Sequence, residues 1–268
     1  MDILKRSLAP ITDRAWEEID DAVRSILMTR LCGRKVVDVI GPEGMDKAAV
    51  GLGRLEIPRQ DKTGVGYGIH RVQPLVEGRI GFDLDVWELD NIERGAGDID
   101  LKAAEDAALA MSRFEDQAVF NGFKAAGITG LTRLDGHKPL PLKLEPGALL
   151  DSLAQAVVTL NDAAIKGPFA LVVGTEVFKA LSSQQTSGYP LQKQVANLVD
   201  GKVHYSTVLE GALLISRRGG DFELTLGQDL AIGYESHGEG KVRLFITESF
   251  TFRTLDPAAC IHLPLKGK

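Results

Sequence analysis

Cysteine is nearly missing from this chain: Cys32 and Cys260 are the two present in 268 residues, and they stand 228 positions apart. That spacing makes neither a disulfide framework nor a paired metal knuckle, so reduced thiols are expected. No uninterrupted apolar run approaches the roughly 18 residues that a membrane helix needs. The opening MDILKRSLAPITDRAWEEIDD turns polar and acidic after Lys5 and Arg6, where a secretory signal would continue apolar. A protein made and kept in the cytosol is the expectation. An excess of positive charge is missing too, with 31 Lys and Arg against 37 Asp and Glu, a net charge of −6. Nucleic acid and anionic lipid both reward clustered cations, so this balance directs the chain to neither. What remains is ordinary for a folded protein: 44% hydrophobic and 25% charged residues, in a chain long enough to bury a sizeable core.

Catalytic signatures are absent as well. There is no GxSxG elbow, and neither cysteine has a papain-like or caspase-like context. His70, His137, His204, His237 and His262 fall in no HExxH or other local zinc spacing, so no metal site is expected. GVGYG at 64–68 lacks the closing Gly-Lys-Ser/Thr of a phosphate loop and precedes a β-like run, which makes it a hairpin tip. The acids Asp83, Asp85, Glu88, Asp90 and Glu93 lose strand phase at Val86-Trp87 and read as a solvated or salt-bridged face. Trp87 among them has two readings, a partly buried core residue or an exposed stacking surface. An enzyme is not expected.

The pattern that is present predicts helices and antiparallel strands in separate runs, an α+β fold. Trp16, Ile19, Val23, Ile26 and Leu27 predict a helix over 13–31, capped by Thr12 or Asp13 and stopped by Gly33. The ten residues before it read as a short arm docked on something else. GRLEIPR and IHRVQPLVEGRI flank Asp61–Gly68 as a long hairpin with little core of its own. Leu101, Ala104, Ala108, Met111, Phe114, Ala118 and Phe123 predict a helix from Asp100 to Gly127, roughly 40 Å long. A second spans about 147–165 and stops at Gly167-Pro168. FALVVG then reads as a buried strand, followed by a short helix, the loop SSQQTSGYP, a helix after Pro190, and mostly strand from 203 onward.

Five ordered blocks between residues 4 and 252 give the chain a family resemblance: LKRSLAPIT, GRKVVDVIGP, VWELDNIERG, RGGDFELTLGQDLAIGYE and RLFITESFTF. It resembles the family 1 encapsulins, shell proteins of bacterial and archaeal nanocompartments. The resemblance implies an HK97-type phage capsid fold, with an N-terminal arm and the start of a peripheral domain in 1–50 and an E-loop hairpin in 51–75. It further implies the peripheral domain with its spine helix in 76–132, an axial domain in 133–216, and returning peripheral strands in 217–268. It implies sixty copies, or a larger icosahedral multiple, closing around a cargo enzyme that is a ferritin-like iron oxidase or a dye-decolorising peroxidase. A short terminal peptide of the cargo would bind near Leu4, Ile11, Arg34, Asp38, Asp229, Leu230, Ile232 and Tyr234. Some relatives stack a flavin (FMN or riboflavin), which here implies Trp87, Arg79 and, from a neighbouring subunit, Tyr189. Gln184, Gln185, Thr186, Ser187, Gly188 and Tyr189 would line a five-fold pore. The segments DKTGVGYGIH, SHGEGK and PLKGK match no family block. A phage major capsid protein and a protease or bacteriocin activity are the rival readings.

Overall fold

Thr12 opens the first helix, its hydroxyl accepting the Ala15 N–H at 3.2 Å. This is α1, Asp13–Arg30, in a computed structural model that describes residues 3–57, 63–186 and 188–265. The helix ends at Leu31. Gly33 does not stop it but starts a 3-10 turn, Gly33–Lys35, packed on α3, where an added Cβ would stand 3.2 Å from Asp116 Oδ1. Two strands follow: β1, Asp38–Ile40, and β2, Ala49–Glu56. Among the described residues β2 pairs only with β3, Ile69–Pro74, as a two-stranded ribbon. Its exposed Leu55, Ile69 and Val72 bear out the hairpin without a core, and part of the expected tip, Asp61 and Lys62, lies outside the described residues. β4, Val76–Asp85, leaves the ribbon for the main sheet.

Asp85 then accepts the Trp87 N–H and opens α2, Val86–Glu93. The long helix is α3, Lys102–Asn121, shorter than the expected span at both ends. The cap position is Leu101 rather than the expected Asp100, which stands one residue earlier and accepts the Lys102 N–H at 3.0 Å, and the helix stops at Gly122 rather than Gly127. Gly122 sits at φ 87°, a left-handed conformation that ends the run. The helix is therefore about 30 Å long.

After α4, Pro146–Asp162, come β5, Phe169–Val173, and α5, Thr175–Ser183. A short ribbon follows, β6, Gln185–Thr186, with β7, Tyr189–Pro190, and then α6, Leu191–Leu198. The remaining strands are β8, Val203–Tyr205; β9, Ala212–Ser216; β10, Phe222–Leu226; β11, Ala231–Gly238; β12, Lys241–Thr254; and β13, Cys260–Leu263. The architecture is α+β.

Two cores result. One packs α1 and the first half of α3 on β4, β11 and β12. The other surrounds the sheet β13-β9-β5-β8 with α4, α5 and α6. α3 belongs to both: Ala104, Ala108 and Met111 enter the first, Ala118, Val119 and Phe120 the second. Helical periodicity thus carries one element through two hydrophobic clusters and fixes how they meet.

Candidate functional site

α1 and the edge of β11 face each other across a cavity of about 580 Å³. Val23, Leu27 and Leu31 form an i, i+4, i+8 ridge on its helical wall, joined by Met28. Leu230, Ala231 and Ile232 form the opposite wall. Tyr234 and Ile232 pair with Leu244 and Ile246 of β12 in one unbroken antiparallel register. The Tyr234 N–H turns away from β12 and donates to the Leu4 carbonyl at 2.7 Å. Backbone groups alternate along a strand, so the Ile232 N–H and carbonyl two residues earlier also face away from β12. The arm thus covers the edge of β11 at Tyr234, and among the described residues no backbone group bonds to Ile232 on that side. Arg6, in a 3-10 turn of the arm, grips both carboxylate oxygens of Asp20 at 3.0 and 2.7 Å and closes that end.

Behind this cavity a buried charge cluster fixes Arg34. Its Nε and Nη2 donate to Glu115 at 2.6 to 3.0 Å, Nη2 also approaches Glu248 at 3.3 Å, and Nη1 donates to Asp229 at 2.7 Å. Glu115 and Glu248 are fully buried, whereas the Asp229 side chain is 43% exposed and borders the cavity. Asp229 Oδ1 also accepts the Leu230 N–H, tying the acid to the open strand. Burial works against the Arg34 charge, yet the bonds and charges of Glu115 and Asp229 outweigh it and hold the guanidinium firmly protonated. Burial raises the Glu115 carboxyl, opposed by Arg34; burial and the charge of Glu115 raise Glu248 well above the usual range. Beside them, Asp116 accepts the Gly33 and Cys32 N–H groups at 2.8 and 3.2 Å. Burial pushes its carboxyl up to about 7 against the pull of those amides. Both cysteines are buried, and burial raises their thiols far from thiolate chemistry.

The structure brings Arg34, Asp229, Leu230 and Ile232 together at the groove, with Leu4 on its strand edge. Ile11 packs on the first core under the arm, and Tyr234 is 9% exposed with its hydroxyl on His237 Nδ1. Asp38 stands apart in β1, accepting the Gly220 N–H at 2.6 Å. The groove also takes Arg6, Asp20, Met28 and Leu31, which sequence reasoning did not single out. The signal was there: the apolar ridge of α1 is wider than the face its core uses.

Trp87 is 72% exposed, so it is not a core residue; its partner is Arg94, 5.6 Å from the ring centre. Arg79 lies over Phe245 at 4.1 Å and stands six residues before the end of β4, roughly 20 Å along the strand. Tyr189 lies on the other core's side, in β7. The acidic face is salt-bridged as expected at Asp83, which pairs with Arg243 at 3.1 Å. Of the pore-loop residues, Gln184 leads into the β6–β7 ribbon, Gln185 and Thr186 pair with Pro190 and Tyr189, and Gly188 turns at φ 77°. Tyr189 is 47% exposed, while Ser187 lies outside the described residues.

This fold is of the capsid type. It matches a virus-like particle from Pyrococcus furiosus at TM-score 0.68 and 17% identity, over 92% of this chain and 98% of that one. It also matches the capsid of Myoviridae phage XM1 at TM-score 0.57 and 13% identity, over 85% and 89%. The sequence narrows the class. Residues 1–251 match the Linocin_M18 family, described as encapsulating protein for peroxidase. The type 1 encapsulin shell protein of Rhodospirillum rubrum is 41% identical over 274 residues, spanning all of this chain and 97% of its own length. That of Mycobacterium tuberculosis is 36% identical, over 98% and 99%. The chain belongs to the type 1 encapsulin shell proteins. It is a structural protein that works as an oligomeric shell, and the protease or bacteriocin reading falls with that assignment. Among the described residues no helix is long and apolar enough to cross a membrane.

Proposed function

We propose that this chain tiles a closed icosahedral particle of sixty copies, or a larger multiple, and holds a cargo enzyme inside by a short extended peptide laid in the α1–β11 groove. The observation that carries this reading is the cavity between α1 and the edge of β11, where Ile232 has no backbone partner on that side among the described residues. A strand edge offers backbone bonds to an extended segment, and Leu27, Met28, Leu31 and Leu230 offer apolar contact for alternate side chains. The description of the matching family favours a peroxidase as cargo, and a ferritin-like iron oxidase is the alternative. Either would give the particle a part in oxidative-stress defence or iron storage in the cytoplasm. Electron microscopy of purified particles with mass spectrometry of their contents tests the proposal. Closed shells enclosing an oxidase or peroxidase support it; a monomer or an empty particle from the native host overturns it.

A flavin bound between copies is a second reading. The exposed Trp87 indole supports it, because a ring with Arg94 on one side has its other face for an isoalloxazine. Arg79 would flank the ring, and Tyr189 would come from a neighbouring subunit.

A further inference from the structure

Three acids converge on one guanidinium beneath the groove. Arg34 brings one positive charge to Glu115, Glu248 and Asp229. Glu115 and Glu248 are fully buried and within hydrogen-bonding reach of each other. Glu248 Oε1, also buried, accepts from no donor among the described residues. Two neighbouring carboxylates in such an enclosure do not both ionise cheaply, since each buried ion costs several kcal/mol and like charges repel. A proton shared between them removes one of those charges and gives the unpartnered oxygen a role.

We propose that Glu115 and Glu248 hold one proton between them, and that this proton positions Arg34, and through it Asp229, so that the groove loosens its hold on an extended peptide when the proton leaves. The inference rests on the peptide-groove reading and assigns it a control. With the proton in place the four side chains carry one net negative charge; without it they carry two, and the repulsion falls on Asp229, the most exposed member.

Among the described residues around the cluster, the one cation not paired with an acid is Lys35, and its ammonium is turned to a backbone carbonyl rather than to the acids. From the 3-10 turn, Lys35 donates to the Thr29 carbonyl. From β4, Glu77 and Arg79 stand 3.7 Å apart, with Arg79 over Phe245. From the arm and α1, Arg6 and Asp20 hold each other, and Arg24 donates to Asp21. From α3, Asp116 is fixed by the Cys32 and Gly33 amides. Burial raises both Glu115 and Glu248, which agrees with a retained proton.

The test uses assembled shells and a short fluorescein-labelled peptide alternating Leu and Ile with Gly and Ser, followed by anisotropy across neutral and alkaline pH. Native affinity is expected to fall by up to about tenfold per pH unit above the pair's midpoint. In Glu248→Gln the amide stays neutral and donates to Glu115, so affinity stays near native at neutral pH and its profile becomes flat. Glu115→Gln, which takes the closest anion from Arg34, is expected to bind weakly at every pH. Asp116 contributes a protonated carboxyl near pH 7 to native and E248Q shells alike, so infrared difference spectra between the two are expected to show a further protonated carboxyl in the native protein only. The same pH slope in native and E248Q shells, or no such carboxyl, overturns the inference. Peptide that binds at no pH overturns the groove reading instead, and the infrared spectra still decide the shared proton. If E248Q fails to assemble, native carboxyl deprotonation in step with peptide release supports the inference, and release without it overturns it.

Discussion

Arg6 rests over the indole of Trp16, 3.9 Å from the ring centre, and so fastens the arm to α1 with the same side chain that grips Asp20. Both carboxylate oxygens and the ring face are used, although the pair is one-third exposed. Arg6→Ala is expected to cost about 1 kcal/mol, the scale of a partly exposed cation–π contact and ion pair. It should also free the strand edge at Tyr234. A lowered thermal midpoint with altered cargo loading, measured by calorimetry and gel densitometry, would bear this out; no change in either would show that the arm is held elsewhere.

Met28 offers a cleaner probe of the groove, because it is 71% exposed and its replacement leaves the core intact. Met28→Glu puts a charge where an apolar side chain of the peptide would lie. Particle yield is expected to stay native while peptide affinity drops about tenfold, or about 1.4 kcal/mol. Equal cargo content in native and mutant particles would exclude this wall of the groove as the contact.

Asp116 sets a pH slope on stability. Its folded carboxyl is raised to about 7 from an ordinary 3.8, so between those values the folded chain holds a proton that the unfolded chain has lost. Its stabilising contribution is complete below about pH 4 and fades as pH climbs toward 7, by up to about 1.4 kcal/mol per pH unit. Urea midpoints of native and Asp116→Asn chains across that range read the effect. The Asn variant is expected to lose this part of the slope, and identical slopes would assign it to other groups.

Phe120 sits at the seam where α3 passes from one core to the other and is fully buried. Phe120→Ala is expected to cost about 3 to 5 kcal/mol through lost burial and a cavity. Soluble particle yield, measured by size exclusion, should collapse; a near-native yield would mean that the seam tolerates the void.

For Trp87, native shells are expected to carry a flavin absorbance that Trp87→Ala removes without affecting assembly. Colourless native particles reconstituted with excess FMN would count against that site.

Much of this architecture was legible because it rests on periodicity. The α1 stripe, the all-apolar FALVVG strand and the coreless β2–β3 ribbon each follow from which side chains avoid water. Helix ends were less legible: Gly127 looked like the stop for α3, but the chain turned at Gly122, where a left-handed conformation and close packing on Gly130 coincide. Trp87 misled in part because its sequence neighbours carry charge, and only the tertiary fold decides whether a ring is covered. Glu115 gave a signal that went unread. It falls on the 104, 108, 111, 118 stripe of α3, and Glu248 likewise interrupts the buried run of β12. An acid on an apolar face announces a buried partner, but no local pattern says that the partner is Arg34, 81 positions from Glu115.

The bare β2–β3 ribbon also constrains how particles appear in time. A free subunit carries Leu55, Ile69 and Val72 into solvent, and in the proposed particle the contacts that shield them would come from another copy. The solution level of unassembled chain should therefore plateau at a threshold set by that ribbon, with all further protein entering closed shells. Replacing Val72 with a polar residue should raise the threshold while leaving the isolated fold unchanged.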